Sequence, residues 1–317
     1  LLAAVTDPLS SITSYGYDKN GNRTSQLDAE GHTTLYAFDE LNRITSEKVD
    51  AGGGNWLLEK SYRYDKSGNL TKDTTGEGSI SYSYDNVYNL TGLTDRRSAT
   101  FSFTYDGNQN QLSAVETATG KTVSFAYNPR GMLSGATDAH GASESFTYDG
   151  AGNLTQRNDI VAGQNFTTSF DHTPRNQVKS VTRGSDTSSF SFDAAGNLTA
   201  KTYTNGVTTS FAYDADNRPT SQQAIKDAQT LQSYSQSFDA AGNITQLIEN
   251  GTLTTDYGYD QLNRLTSENI GGYGNVGYSY DRVGNRLTLD NPTTGHTDYS
   301  YNQANQLTGQ VNGAINT

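Results

Sequence analysis

The 317-residue sequence contains no cysteine. This absence excludes disulfides, thiolate metal sites and a cysteine nucleophile, and it leaves the redox compartment open. Proline is scarce, with 5 residues, whereas glycine is abundant, with 32. That balance suits many tight turns between extended segments.

Long apolar runs and basic clusters are also missing. The longest apolar run is the five residues 1–5, so we expect neither a membrane span nor the apolar core of a signal peptide. The net charge is -12, the isoelectric point is about 4.7, and the longest basic run is Arg96-Arg97. An acidic chain repels a phosphate backbone, so we expect no nucleic-acid partner.

Aromatic residues are frequent although the chain is polar. Only 32% of the residues are hydrophobic and the mean hydropathy is -0.71, yet there are 21 tyrosines and 11 phenylalanines. Disordered chains are poor in aromatic residues. The composition therefore predicts an ordered chain without a thick, closed core.

An internal repeat organises the sequence. An aromatic residue, here called the anchor, is followed by an acid or an amide fourteen times, and eleven of the thirteen intervals are 20 to 22 residues. The pairs begin at Tyr17, Phe38, Tyr64, Tyr84, Tyr105, Tyr127, Tyr148, Phe170, Phe192, Tyr213, Phe238, Tyr259, Tyr280 and Tyr301.

The residues before each anchor have the pattern of a strand. A second aromatic lies two residues earlier in twelve repeats, as at Tyr15 and Tyr36, and small residues such as Gly16 and Ala37 lie between. Residues i and i+2 share one face of a strand. The pattern predicts a half-buried strand with its aromatics on one side.

A turn follows each anchor. Its best-preserved form is Asp-x-x-Gly-Asn-Leu-Thr, at 65–71, 149–155 and 193–199. The aspartate can accept backbone N–H bonds, while glycine and asparagine tolerate positive φ. An apolar residue such as Leu70 begins a second strand, and a second turn such as 28–31 ends it.

Each repeat is therefore a strand, a turn, a strand and a turn. We predict an all-β fold of about 28 strands, a long antiparallel strip that coils because strands twist. Aromatic ladders should run along it. We expect one continuous array over residues 1–317, truncated at both ends, with Leu2 to Val5 as a preceding second strand and Ala314 to Thr317 approaching a next first strand.

Two intervals are longer than the rest. The spacing is 26 residues between Phe38 and Tyr64 and 25 between Tyr213 and Phe238. We expect projecting loops there, the first marked by Gly52-Gly53-Gly54.

Tandem Tyr-Asp-x-x-Gly-Asn-Leu/Arg units of this length resemble the YD repeats of the RHS family over essentially the whole chain. That family includes bacterial polymorphic toxins, subunits of insecticidal Tc toxins, wall-associated proteins and teneurins. The resemblance implies a spiral, hollow β shell, which encloses a C-terminal toxin domain in the toxins and belongs to an adhesion receptor in teneurins.

One part of the family pattern is missing. The Asp-Pro-x-Gly segment that the family associates with self-cleavage is matched only by Asp7-Pro8-Leu9-Ser10, which lacks the glycine and lies at the wrong end. We therefore expect no autoprotease activity.

Four histidines are the obvious catalytic candidates. His32, His140, His172 and His296 are far apart in sequence, and three of them lie in the second-turn region of different repeats. A nucleophile, base and orienting group must converge within hydrogen-bond reach. We expect turn positions, no catalytic residues and no cofactor.

Some turns superficially resemble calcium loops. The segments 18–22 and 65–69 place oxygen ligands around a glycine, but no bidentate glutamate follows. The turn explains the same residues, so we expect no metal. Asparagines of six turns lie in Asn-x-Thr sequences, which mildly favours a bacterial source over an animal receptor, since sugars would crowd tight hairpins.

The single tryptophan, Trp56, follows the glycine-rich stretch and shares strand parity with Leu58, Tyr62 and Tyr64. We expect it to pack in the core, while stacking on a sugar ring is the alternative.

These patterns favour a non-enzymatic shell segment that helps encapsulate and deliver a C-terminal toxin domain of the same parent chain, in a secreted or surface-exposed bacterial protein. The alternative is a cell-surface adhesion or carbohydrate-binding module, with a sugar or a receptor as the partner. Open sheet edges also make self-association plausible.

Overall fold

The computed structural model describes residues 1–52 and 55–313. This part of the chain contains strands and turns but no helix that could cross a membrane. Its strands are β1 (Ala4–Thr6), β2 (Ile12–Tyr17), β3 (Arg23–Leu27), β4 (Thr33–Phe38), β5 (Ile44–Gly52), β6 (Asn55–Tyr64), β7 (Leu70–Thr75), β8 (Gly78–Tyr84), β9 (Leu90–Thr94), β10 (Thr100–Tyr105), β11 (Gln111–Glu116), β12 (Lys121–Tyr127), β13 (Leu133–Thr137), β14 (Ser143–Tyr148), β15 (Leu154–Val161), β16 (Gln164–His172), β17 (Val178–Arg183), β18 (Asp186–Phe192), β19 (Leu198–Tyr203), β20 (Thr208–Tyr213), β21 (Pro219–Lys226), β22 (Gln229–Phe238), β23 (Ile244–Glu249), β24 (Leu253–Tyr259), β25 (Leu265–Ile270), β26 (Gly274–Tyr280), β27 (Arg286–Asn291), β28 (Gly295–Tyr301) and β29 (Leu307–Asn312).

Consecutive strands pair side by side. Every pairing whose register is described joins strands that are neighbours in sequence, and all of these pairs are antiparallel. The register shifts by one residue at the anchor, as between Gly16 and Tyr17. The predicted strand, turn, strand and turn is thus the structural repeat, and the all-β prediction is confirmed.

The two faces of the strands differ in the way the alternation predicts. In β10 the aromatic residues Phe101, Phe103 and Tyr105 are half-buried, whereas Ser102 and Thr104 between them are exposed. In the described part of the chain, only Val49 and Val276 are buried apolar residues. The expected absence of a thick core is therefore correct.

The residue four positions before the anchor lies on the same face of the strand as the anchor and the aromatic two positions before it. Three of the buried residues there are threonines, at 6 to 8% exposure, and Val276 occupies the same position in β26. The threonines are Thr209, Thr255 and Thr297. β-Branched side chains fit this position because they pack well on a pleated surface.

The chain forms two compact units. The first comprises residues 1–79 and 236–317, and the second comprises residues 80–235.

The long intervals lengthen hairpins and do not form the loops we expected. Extra residues lengthen the paired strands β5 with β6 and β21 with β22, and the β15–β16 hairpin is paired over a similar length. Adding residues in pairs to both strands keeps the backbone hydrogen-bonded, which an extended loop does not. Gly53 and Gly54 lie outside the described residues.

Trp56 lies on the first of these extended hairpins, and its predicted core position is wrong. The side chain is 39% exposed, because the hairpin outgrows the neighbouring strands and shifts register at Asp50. The Lys48 ammonium lies 5.2 Å from the centre of the ring.

The eighth repeat also differs from its sequence assignment. Its turn begins at Thr173, and the register shift falls at His172, so His172 occupies the anchor position in place of Phe170. Phe170 is the aromatic two residues before the anchor. The pair Phe170-Asp171 mimics the repeat motif two residues too early, which made the motif search choose it.

β1 pairs antiparallel with β2, and it covers Ala4–Thr6, where the sequence predicted a strand at Leu2 to Val5. The expected strand at 314–317 lies outside the described residues.

Candidate functional surface

The first turns, which follow the anchors, form the most regular feature of the molecule. In the turn at 18–22, the Asp18 N–H donates to the Asn22 carbonyl at 3.0 Å, and the Gly21 N–H donates to the Asp18 carbonyl at 3.1 Å. The same two backbone bonds recur in each of the fourteen first turns. A tight turn followed by one left-handed residue and a bulge is a common way to join antiparallel strands.

The left-handed residue is always the fourth of the turn. Its φ lies between 58° and 99° in all fourteen turns. Glycine or asparagine occupies twelve of these positions, and Tyr88 and Gln109 occupy the other two. Glycine and asparagine adopt this conformation at low cost, whereas a larger side chain is strained.

The aspartate at the first position holds the turn together. One oxygen of Asp18 accepts the backbone N–H bonds of Asn20 and Asn22 at 2.9 Å, and the other accepts the Asn22 side-chain amide at 2.8 Å. Arginine replaces that amide in three turns, where its Nε donates to the aspartate at 2.7 Å, as from Arg43 to Asp39. In the turn at 65–69, Asp65 accepts the equivalent bonds. The carboxylates of the calcium-like segments are therefore engaged as turn acceptors.

These bonds lower the pKa of the turn aspartates. For Asp65, Asp106 and Asp193 the side-chain amide of the fifth residue is the largest cause, and backbone N–H bonds add to it. Hydrogen bonds to the charged form favour ionisation. The turn is therefore at its most stable with the aspartate charged.

Neighbouring turns are joined by asparagine side chains. The amide at the fifth position of one turn donates to the amide oxygen at the fourth position of the next, at 2.7 to 3.0 Å. The pairs are Asn22 with Asn42, Asn153 with Asn176, Asn197 with Asn217, Asn243 with Asn263, and Asn285 with Asn305. One N–H of each donor binds its own aspartate and the other binds the next repeat.

Where arginine is the fifth residue of a turn, its longer side chain reaches a backbone carbonyl of the next turn. Arg43 Nη1 donates to the Asp65 carbonyl at 2.9 Å, and Arg264 Nη1 donates to the Asp281 carbonyl at 2.9 Å. The Arg43 guanidinium also lies 4.7 Å from the centre of the Tyr64 ring. Each arginine thus binds its own turn, the backbone of the next turn and an aromatic anchor.

Anchor tyrosines connect the repeats at a second level. The hydroxyl of Tyr148 donates to the Leu133 carbonyl at 2.7 Å, so it reaches the second strand of the preceding repeat. The same bond, spanning 15 residues, is found in at least seven of the described repeats, from Tyr17, Tyr105, Tyr148, Tyr213, Tyr259, Tyr280 and Tyr301. We call this bond the tyrosine clasp.

Burial on the aromatic face raises the pKa of some of its tyrosines. Burial and a 2.7 Å hydrogen bond to Glu268 raise the pKa of Tyr278 to about 12. Arginines lie over the same face, and Arg286 is 4.4 Å from the centre of the Tyr299 ring. The aromatic face thus carries rows of rings with arginine and lysine side chains over them. The aromatic rows were predicted from the sequence, whereas the cations were not.

The four histidines occupy separate structural positions. His32 and His140 lie in second turns, where their backbone N–H groups donate to Asp28 and Asp138 respectively. His172 is the eighth anchor, and His296 lies in β28.

His296 has two acidic neighbours. Its ring nitrogens lie 2.5 Å from Asp290 and 3.0 Å from Asp298, and the hydrogen bond to Asp290, followed by that to Asp298, raises the pKa of His296. The described residues contain no group of three side chains suited to hold a metal ion.

An open cleft lies within the first unit. Residues of early turns line one side, among them Glu30 and His32, and residues of late repeats line the other, among them Tyr280 and Arg282. The Arg282 N–H donates to Glu30 at 3.0 Å, which joins residues 252 positions apart in sequence. This contact holds two distant stretches of the array together within that unit.

The side chains of the turns and of the anchors make most of their described hydrogen bonds to the repeat they belong to or to a neighbouring repeat. The carboxylates, amides and guanidiniums of the turns bind one another, and the anchor hydroxyls bind the backbone. Sequence reasoning found the turns and the ladder but missed both the tyrosine clasp and the bonds between turns. The regular alternation of Gly-Asn and Asn-Arg at turn positions four and five was the available signal.

The described architecture defines a tandem β-repeat protein, and comparison with protein families assigns it. The family model described as RHS Repeat matches residues 1–33, 17–54, 64–100, 105–143, 127–164, 172–208, 192–225 and 238–270. These segments cover well over half of the chain. The chain belongs to the RHS repeat family.

Solved structures share this fold. The crystal structure of TcdB2-TccC3 matches with a TM-score of 0.75 and 16% identity, over 95% of this chain and 20% of that one. The crystal structure of TcdB2-TccC3-Cdc42 gives the same TM-score and identity, over 95% of this chain and 19% of that one. This chain therefore spans about a fifth of those proteins.

A curated relative has recognisable sequence similarity. The tRNA3(Ser)-specific nuclease WapA of Bacillus spizizenii is 33% identical over 112 residues. The match covers 34% of this chain and 5% of the relative, so this chain corresponds to a small part of that protein.

Proposed function

We propose that this chain is a structural wall segment of a larger RHS protein. In that protein, one continuous repeat array that includes residues 1–317 encloses a C-terminal toxin domain of the same chain and delivers it. The chain's own role is non-enzymatic. The much greater length of the matched relatives supports a larger parent, and the nuclease name of one relative supports a toxin cargo.

The observation that carries the proposal is the way polar groups are used. Strands pair with their sequence neighbours, turn side chains bind the next turn, and the tyrosine clasp joins successive repeats. Such connections extend in one dimension, as repeat proteins do, and they make a thin, continuous surface. A surface of this kind suits containment, because its polar groups are engaged with one another.

The proposed partner is the toxin domain, and the proposed location is outside the bacterial cell or on its surface. A second candidate function rests on Trp56, whose 39% exposure on an extended hairpin allows contact with a sugar or a receptor. Aromatic rings bind the apolar faces of sugars, but Lys48 already lies against this ring.

Limited proteolysis of the parent protein tests the containment proposal. The parent and its isolated C-terminal domain are treated with the same protease, and the survival of the domain is followed by mass spectrometry. A cleavage site inserted at the exposed second turn 184–185 confirms that the protease is active on the parent.

We expect the domain to survive in the parent and to be digested when isolated. Equal digestion rates would contradict containment. Loss of binding to glycan arrays or cells on Trp56→Ala substitution, with equal digestion, would instead support the adhesion function.

A further inference from the structure

Eleven of the fourteen first turns fall into two classes, defined by positions four and five, and the turns at 85–89, 106–110 and 128–132 belong to neither. Class A has Gly-Asn and class B has Asn followed by Arg or Gln. Class A turns are 18–22, 65–69, 149–153, 193–197, 239–243 and 281–285, and class B turns are 39–43, 173–177, 214–218, 260–264 and 302–306. From 149–153 to 302–306 the two classes alternate without a break over eight turns.

The contacts between turns depend on this order. In all five places where a class B turn follows a class A turn, the class A asparagine donates to the class B asparagine. The donor is free to do so because only one of its two N–H groups binds its own aspartate. A glycine at the fourth position has no side-chain acceptor, so a second class A turn leaves that N–H to water.

Where a class A turn follows a class B turn, the hydrogen bonds between the turns involve different groups. The class B side chain reaches backbone carbonyls of the following class A turn, from Arg43 to Asp65, from Arg264 to Asp281 and, at 3.3 Å, from Gln177 to Gly196. At Gly196 an added β-carbon would lie 3.4 Å from the Gln177 amide nitrogen. That distance is an ordinary van der Waals contact, so the positive φ of 97° explains the glycine at this position, not a shortage of space.

We propose that the two turn classes recognise each other, so that each turn of class A or class B is an interaction surface whose partner is a turn of the opposite class. The specificity residues are those at positions four and five. The unit that repeats along residues 149–306 is then a pair of repeats of 41 to 46 residues, and pairs stack in a defined order.

A single substitution to glycine distinguishes two roles of the fourth residue, which are to bind the neighbouring turn and to adopt the left-handed conformation of its own turn. In Asn217→Gly the left-handed φ of 61° remains available, and glycine adopts it more easily than asparagine. Backbone conformation alone therefore predicts no loss of stability. Recognition predicts a lower melting temperature, because the Asn197 amide loses its acceptor. A melting temperature equal to or above that of the unaltered chain would overturn the proposal at this junction.

Exchange of two adjacent turns tests the order itself. The variant G196N/N197R/N217G/R218N keeps the composition but places class B turns next to each other at 173–177 and 193–197. We expect the melting temperature of the full chain to fall by about 2 to 6 °C. The matched control, Y88Q/Q109Y, exchanges fourth-position residues between turns that share no side-chain bond, and it should leave the melting temperature unchanged.

Two results would overturn the proposal: an exchange variant as stable as the unaltered chain, or a control that loses as much stability as the exchange. If the exchange variant does not fold, the double-mutant cycle of Asn197→Ala and Asn217→Ala decides. Recognition predicts that the two losses are not additive, whereas additive losses would contradict it.

Discussion

Two stretches of the second unit share the same repeat but connect their turns differently. In residues 149–218 each turn reaches the next through side chains, as from Asn153 to Asn176 and from Gln177 to Gly196. In residues 85–132 no side-chain hydrogen bond between turns is found among the described residues, and Asn89 and Asn110 bind only their own aspartates. Tyr88 and Gln109 hold the left-handed position there.

The comparison separates two kinds of cohesion. Strand pairing is common to both stretches, and so is the tyrosine clasp, which links Tyr105 to Leu90 in one and Tyr213 to Leu198 in the other. Of these two stretches, the described residues of 149–218 have turns joined by side-chain hydrogen bonds, and those of 85–132 do not. Strand pairing and the tyrosine clasp are therefore present without bonds between turns, and we expect those bonds to add stability where they occur.

We expect the largest loss of stability from substitutions that remove the tyrosine clasp, which the two stretches share. Tyr105→Ala and Tyr213→Ala should each lower the free energy of unfolding by about 2 to 4 kcal/mol, since each removes a half-buried ring and its hydrogen bond. The matched Phe variants lose only the hydroxyl, at about 1 kcal/mol. Urea denaturation measures both. A large loss at one site with none at the other would show that the clasp is not a common element.

A smaller effect should distinguish the stretches. Asn197 binds both Asp193 and Asn217, whereas Asn110 binds Asp106 alone. We expect Asn197→Ala to cost about 1 kcal/mol more than Asn110→Ala, the typical value of one hydrogen bond. Equal costs would show that the bonds between turns contribute nothing.

A glycine in place of Tyr88, which has a strained positive φ, should raise the stability of the stretch 85–132. Tyr88 is 61% exposed and has a φ of 71°, so Tyr88→Gly relieves backbone strain and loses little packing. We expect a gain of about 0.5 to 1 kcal/mol in unfolding free energy. The reverse control, Gly68→Ala, meets no steric contact but should lose about 1 kcal/mol, because its φ is 97°. A destabilised Tyr88→Gly variant would contradict the strain argument.

Acid should lower the stability of both stretches to a similar extent. This is the smallest difference that we expect between them. Hydrogen bonds from the asparagine at position five lower the pKa of Asp85 and Asp106 in one stretch and of Asp149 and Asp193 in the other. A lowered carboxyl pKa stabilises the fold above the ordinary value of 3.8, and this stability is lost as the pH falls through the lowered pKa. Melting curves between pH 6 and pH 2 should show stability falling below about pH 4. A chain that is more stable at pH 3 than at pH 6 would contradict the assigned role of the aspartates.

Sequence predicted the strand order, the aromatic face and the first turns, because all three are local patterns with a fixed period. It placed the eighth anchor at Phe170 because Phe170-Asp171 imitates the motif, while the true turn starts with the less usual Thr173. Trp56 was assigned to the core because strand parity reports the face of a residue but not whether neighbouring strands extend far enough to cover it.

The contacts between repeats were harder to foresee. The clasp from Tyr148 to Leu133 joins residues 15 positions apart and requires knowledge of how repeats stack. The contact of Arg282 with Glu30 joins residues 252 positions apart, and no periodic pattern encodes it. Only the alternation of turn classes left a trace in the sequence.

Hydrogen exchange followed by mass spectrometry tests most directly whether bonded turns stabilise the array. The measurement compares backbone amides of β9 to β12 with those of β17 to β20, which have the same pairing but differ in their turns. We predict faster exchange in β9 to β12, because local opening there breaks no bonds between turns. Equal protection in the two stretches, or faster exchange in β17 to β20, would contradict the account.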